Sequence, residues 1–152
     1  MEGERLVKDI MVKEVITIQK DASVEELSEL LIKNKISGVP VIDNDGKLVG
    51  IATEGDLIIK DSDLHFPRYF KLLDSIIYLE SLNKFKKSLK KFLGTKVEDV
   101  MTAKIKTVKE DSTVGDAANM MIKYNINRVP VLDSKDELAG IVTRADIVGS
   151  MI

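Results

Sequence analysis

The sequence predicts an α+β fold: two pseudo-symmetric β-α-β-β-α units that bury their apolar faces against each other, with a helical insert between them. Three observations predict it. Residues 7–58 align with residues 97–148 at a constant offset of 90 and no gap, and 18 of those 52 positions are identical. A period this long in only two copies marks a duplicated unit rather than a solenoid. Within each copy a β-rich run, a helical period and a hairpin pattern follow in the same order. A single repeat of about 50 residues buries too little apolar surface to be comfortable alone, so the two must share their burial.

Each element has its own signature. Val15-Ile16-Thr17-Ile18, matched by Ile105-Lys106-Thr107-Val108, is a short β-rich run. Ser23-Val24-Glu25-Glu26 is a capping box, a hydroxyl at N-cap with Glu at N3. It opens a helix to about Asn34, with Val24, Leu27, Leu30, Leu31 and Ile36 inward at three- and four-residue spacing. In the second copy Thr113 and Asp116 open a helix through Ala117, Met120 and Met121 to Tyr124. A strand over 39–42, the turn Asp43-Asn44-Asp45-Gly46 and a strand over 48–52 make a hairpin, repeated over 129–132 and 138–142. Thr53 and Thr143 then end a strand immediately before a second helix.

The first repeat spans residues 1–60, the insert 61–95 and the second repeat 96–152. In the insert Tyr69, Leu72, Leu73, Ile76, Ile77 and Leu79 fall at helical spacing, continued by Phe85, Leu89, Phe92 and Leu93. Lys84, Lys86, Lys87, Lys90 and Lys91 fill the opposite face, and Gly94 is a stop signal. This pattern predicts one or two amphipathic helices and an association surface, most simply a homodimer.

Composition removes several function classes. With no Trp and 5% aromatics, the core must be built from Ile, Val, Leu and Met. A net charge of −2 gives no global pull toward nucleic acid or membrane. The chain has no cysteine, which excludes disulfides and thiolate metal sites and fits a reducing cytoplasm. The start Met1-Glu2-Gly3-Glu4-Arg5 leads into no apolar stretch, and no run nears the roughly 18 residues that span a bilayer. A soluble cytoplasmic protein is expected. His65 is the sole histidine, and no Ser/His/Asp or Cys/His set can be assembled, so neither catalysis nor a metal site is expected. The lysine run lacks the aromatic interleaving of a strand-stacking site, which disfavours nucleic acid and leaves a solvated helix face.

The run Ile36-Ser37-Gly38-Val39-Pro40-Val41 recurs as Ile126-Asn127-Arg128-Val129-Pro130-Val131. Gly50-Ile51-Ala52-Thr53-Glu54-Gly55-Asp56 recurs as Gly140-Ile141-Val142-Thr143-Arg144-Ala145-Asp146. Two copies of both runs in register resemble a tandem pair of cystathionine beta-synthase (CBS) domains, a Bateman module. The resemblance covers the chain from Val7 to Val148 apart from the insert. It implies repeats packed through their sheets, frequent dimerisation, and adenosine-containing ligands (AMP, ADP, ATP or S-adenosylmethionine) in the clefts between the repeats. It also implies a regulatory role with no resident cofactor.

The candidate site residues carry two readings each. Thr53 with Asp56, and Thr143 with Asp146, have the spacing of a capping box. A helix N-terminus also offers N–H groups to an anion, and a nearby Asp can accept ribose hydroxyls. In the family the matching Asp holds the ribose and the Thr lies near phosphate. Pro40 and Pro130 cannot donate to a ladder, which places their segments at an edge. By resemblance Ile36, Ser37, Gly38, Val39 and Pro40 with Thr17, and Ile126, Asn127, Arg128, Val129 and Pro130 with Thr107, line an adenine pocket.

The copies differ in charge: Gly38 becomes Arg128 and Glu54 becomes Arg144. Two guanidiniums can hold phosphate bidentately, and Glu54 would repel it. A phosphate-bearing ligand is therefore expected at the second repeat, and weaker binding or a less charged ligand at the first. The leading function is a regulatory module sensing an adenine nucleotide and passing that state to a regulated protein. The alternative is an interaction module with empty clefts that dimerises or docks through the insert.

Overall fold

Val7 and Val97 are fully buried, and each anchors a one-turn helix ahead of its repeat. The structure is a computed structural model that describes residues 4–59, 69–72, 75–78 and 95–152. In chain order the first repeat carries α1 (Val7–Ile10), β1 (Ile18–Gln19), α2 (Val24–Asn34), β2 (Gly38–Ile42), β3 (Leu48–Thr53) and α3 (Glu54–Ile59). The insert contributes β4 (Tyr69–Leu72) and β5 (Ser75–Tyr78). The second repeat carries α4 (Val97–Val100), β6 (Val108–Lys109), α5 (Val114–Tyr124), β7 (Arg128–Leu132), β8 (Leu138–Thr143) and α6 (Arg144–Ser150).

The leading helices are exchanged between the repeats. One compact unit is Ile16–Ile105, and the other joins Met1–Val15 to Lys106–Ile152. In the first-repeat unit α4 is tied to the loop before α2: Val97 N–H donates to the Ala22 carbonyl at 2.8 Å and Glu98 N–H to Lys20 at 2.9 Å. In the second-repeat unit α1 makes the matching bonds, Val7 to Ser112 at 2.8 Å and Lys8 to Glu110 at 3.0 Å. The identical Asp9 and Asp99 close these turns, accepting from the Leu6 and Lys96 N–H groups.

Each unit holds a three-stranded sheet in the order β1-β2-β3 or β6-β7-β8, its first pair parallel and its second antiparallel. The expected caps form. Glu26 N–H donates to Ser23 Oγ at 3.0 Å, and Asp116 N–H to Thr113 Oγ1 at 3.1 Å. Both long helices end in a left-handed residue, Lys35 and Asn125. Val24, Leu27 and Leu31 are buried on α2, and Ala117 and Met121 on α5. They pack on Val39, Val41 and Ala52 in one unit and on Val129, Val131 and Val142 in the other. At roughly 1.5–3 kcal/mol per fully buried large aliphatic side chain, these clusters are the main source of each unit's stability.

Gly50 and Gly140 are set by close approach. A Cβ at Gly50 would lie 2.6 Å from Met101 Sδ and 2.8 Å from the Thr102 carbonyl oxygen. At Gly140 the same distances run to Met11 and Val12. The chain leaving each exchanged helix crosses over the strand there and bonds to it: Ile51 and Thr102 exchange two backbone hydrogen bonds, as do Ile141 and Val12.

Two expectations need correction. The helix expected across the apolar stripe of the insert is a hairpin where it is described: β4 and β5 pair antiparallel, Tyr69 with Tyr78 through Leu72 with Ser75. Short apolar runs do not separate the two periods, and Tyr, Phe and Ile favour strands. In a strand neighbours alternate faces. Ile76 is accordingly 1% exposed and Ile77 48% exposed, where a helix would have put both on one stripe. The Phe85–Leu93 stripe, the Lys84–Lys91 run and His65 lie outside the described residues. The β-rich runs before α2 and α5 also enter the ladder only at their ends, Ile18 opposite Val41 and Val108 opposite Val131. One step earlier stand Pro40 and Pro130, which have no N–H to continue the pairing.

Candidate functional site

Thr53 and Thr143 close β3 and β8, and the next residue starts a helix in each case. The Thr143 N–H donates to Asp146 Oδ2 at 2.8 Å, and the Asp146 N–H returns a bond to Thr143 Oγ1 at 3.2 Å. In the first repeat Thr53 donates twice to Asp56 Oδ2, from its N–H at 2.8 Å and from Oγ1 at 3.2 Å. The reciprocal cap is complete at Thr143–Asp146, and at Thr53–Asp56 the carboxylate half of it is made. In both pairs the accepting oxygen is Oδ2 of the Asp. Asp56 and Asp146 are half-buried.

The prolines sit where their missing donor costs nothing. The N–H and carbonyl of Ile51 are both spent on Thr102, and those of Ile141 on Val12. The register partners Pro40↔Ile51 and Pro130↔Ile141 are thus non-hydrogen-bonded pairs of their ladders, and the proline nitrogens face the outer edges of β2 and β7. The edge expectation holds locally: β2 and β7 are central strands, but β1 and β6 pair only with their last two residues. The half-buried Thr17 and Thr107 stand one residue before those short ladders, beside the prolines.

The segments that precede the prolines are tied to the caps. Glu54 N–H donates to the Ser37 carbonyl and Arg144 N–H to the Asn127 carbonyl, both at 2.9 Å. Gly38 is the register partner of Thr53, and Arg128 of Thr143. Residues 36–40, Thr53 and Asp56 therefore gather at one end of one sheet with Thr17 beside them. Residues 126–130, Thr143, Arg144 and Asp146 gather likewise with Thr107. Each set lies wholly inside one compact unit.

The charged positions differ in burial. Arg128 is 5% exposed and Glu54 7%, whereas Arg144 is exposed with Nη2 3.5 Å from the Ile126 carbonyl oxygen. One contact at the site was not expected from the sequence. The insert strand β5 bridges Ile36 through Ser75, and Ile76 N–H donates to the Lys35 carbonyl at 3.0 Å. The signal available for it was the β propensity of Ser75-Ile76-Ile77-Tyr78. Among the described residues no group of three or more His, Cys, Asp or Glu could hold a metal ion, and no helix is long and apolar enough to cross a membrane.

Known proteins match along nearly the whole chain. An uncharacterized protein of Methanocaldococcus jannaschii is 42% identical over 97% of this chain and 91% of its own. A crystal structure of CBSX2 in complex with AMP superposes with a TM-score of 0.73 at 28% identity, covering 97% of this chain and 96% of that one. CBSX2 is an Arabidopsis thaliana CBS-pair protein. The CBS domain pair of protein MJ0100, solved with 5-methylthioadenosine and S-adenosyl-L-methionine, has a TM-score of 0.69 at 33% identity over 98% and 97% of the two chains. The CBS domain model matches residues 7–63 and 97–152, one match per Thr–Asp cap, and the chain belongs to the CBS domain family.

Proposed function

We propose that this CBS pair is a regulatory module that binds an adenosine-containing ligand, an adenine nucleotide or S-adenosylmethionine, at the Thr–Asp end of each sheet. The observation that carries the reading is the recurrence of one constellation in both units. A capped Asp lies two residues past the junction, its Thr stands opposite position 38 or 128, and a proline-bearing strand runs on beyond the end of its parallel neighbour. Capping alone needs only the Thr and the Asp. It does not need the whole edge segment repeated around them.

Asp56 and Asp146 are proposed to accept ribose hydroxyls, and residues 36–40 and 126–130 to flank the adenine with Thr17 and Thr107. AMP on CBSX2, and methylthioadenosine and S-adenosylmethionine on the MJ0100 pair, support this class of ligand at matching length and fold. The occupied state would pass to a regulated protein or a second copy of this chain, in a cytoplasmic compartment suited to a sequence without cysteine.

Calorimetric titration with adenosine, AMP, ADP, ATP, methylthioadenosine and S-adenosylmethionine tests the reading. A ligand at 100 times its dissociation constant should add about 2.7 kcal/mol to stability, visible as a raised melting temperature. Silence from all six would leave the interaction-module reading, in which the insert and not a ligand carries the function.

A further inference from the structure

We infer that the two sites are split by charge: the second-repeat site selects an adenosine ligand that carries phosphate, and the first-repeat site one whose 5′ group is neutral or cationic. This split rests on the adenosine reading above and adds the ligand class of each site.

The backbones of the two sites are the same element for element, so selectivity must come from side chains. Within the two runs that define the sites, the changes that alter charge are Gly38 to Arg128 and Glu54 to Arg144. Arg128 and Thr143 are direct register partners on β7 and β8, which puts their Cβ atoms within about 5 Å. The Arg128 side chain therefore starts beside the Thr143 hydroxyl. At 5% exposure it is a buried cation, held by its surroundings and not free to drift into solvent.

Arg144 comes at the same place from the other side. It follows Thr143 directly, and its Nη2 lies 3.5 Å from the Ile126 carbonyl oxygen, so the guanidinium folds back toward residues 126–128. Two arginines thus start beside one Thr–Asp pair, where the first repeat has none at the matching positions. Arg is the side chain best shaped to meet phosphate with two parallel hydrogen bonds.

The first repeat inverts this. Gly38, the partner of Thr53, has no side chain, and Glu54, between Thr53 and Asp56 in sequence, is 7% exposed. Whatever else Glu54 meets, the position carries a carboxylate where its counterpart carries a guanidinium. Burial strengthens charge effects because water screens them less. At that site positions 54 and 56 both carry carboxylates, a pair to which a sulfonium or ammonium group is the better match and a phosphate the worse.

The experiment uses the full chain with AMP and S-adenosylmethionine as probes and adenosine as the uncharged control. Calorimetry should find AMP and S-adenosylmethionine bound together, one of each per chain. Arg144→Ala, an exposed change that leaves the fold intact, should weaken AMP about 10- to 100-fold and leave adenosine and S-adenosylmethionine within about twofold. Glu54→Gln keeps the side-chain shape and should weaken S-adenosylmethionine while sparing adenosine. If AMP displaces S-adenosylmethionine one for one, fills two sites equally, or loses no more affinity than adenosine on Arg144→Ala, the split is wrong and the adenosine reading stands. If no probe binds the wild-type chain, the adenosine reading itself falls.

Discussion

Ile76 donates its backbone N–H to the Lys35 carbonyl at 3.0 Å, which docks the insert hairpin on the residue that precedes the Ile36–Pro40 site segment. Lys35 is also the left-handed cap of α2, so a single residue joins helix end, insert and candidate site. Ile76 is buried and Ile77 exposed. Ile76→Asp should therefore unfold or loosen the first-repeat unit, since it removes a buried aliphatic side chain and buries a carboxylate, at a cost of about 3 kcal/mol or more. Ile77→Asp should melt like the wild type. If the insert is an association surface, as its exposed apolar residue suggests, Ile77→Asp will convert a dimer into a folded monomer by light scattering. An unchanged oligomeric state in that folded variant would move association elsewhere on the chain.

Gly50→Ala and Gly140→Ala should each destabilise by about 1–3 kcal/mol, the usual cost of forcing atoms into a filled site. The new methyl meets a methionine sulfur at 2.6 Å and a carbonyl oxygen at 2.8 Å. A thioether can swing away, but the carbonyls of Thr102 and Val12 are fixed by their hydrogen bonds to Ile51 and Ile141. Hence Met101→Ala should not rescue Gly50→Ala. Chemical denaturation of the single and double variants decides it, and full rescue would show that the methionine alone makes the glycine necessary.

The repeat made the sheets, the caps and the hairpin turns legible, because each was written twice and each depends on local chemistry. The capping hydroxyls at Ser23 and Thr113, the ends of both long helices and the paired positions of the two site segments needed no tertiary information. The exchange of α1 and α4 between the repeats did. Val7-Lys8-Asp9-Ile10 has four residues and no complete period, and its identity to the later copy does not say which sheet it joins. The insert misled for a related reason: Tyr69, Leu72, Ile76 and Ile77 satisfy a helical spacing on paper, and only strand pairing separates Ile76 from Ile77. Burial of Arg128 and Glu54 was equally hidden, since charged residues on a strand end are usually solvated.

Acid should weaken the β7–β8 turn. The Asp133 carboxylate accepts the Glu137 N–H at 3.0 Å and the Lys135 N–H at 2.8 Å, and these bonds hold its pKa below the usual 3.8. A carboxyl with a depressed folded pKa contributes stability that is present above its unfolded value and is lost as pH falls through the folded one. The stability difference between wild type and Asp133→Asn should be widest near neutrality and close as the pH drops below about 4. Denaturant midpoints at a series of pH values measure it. A difference independent of pH would mean that hydrogen-bond geometry, not charge, holds the turn.

Asp146 separates structure from binding more cleanly than any other residue. Its Oδ2 accepts the Thr143 N–H in the cap of α6. Asp146→Asn keeps an oxygen to accept the Thr143 N–H, so its stability should stay close to wild type. Asp146→Ala loses the acceptor and should cost about 1 kcal/mol, as cap removals do. If Asp146 also holds a ribose, both variants should lose adenosine affinity by about tenfold or more, because an amide cannot replace a charge-assisted acceptor pair. With AMP as ligand, Asp146→Ala should lose more than Asp56→Ala, since the second-repeat site also offers Arg128 and Arg144. Affinities must be taken by calorimetry well below each melting midpoint, where every variant is folded. An Asp146→Asn protein that binds adenosine as tightly as wild type would reduce this aspartate to a helix cap.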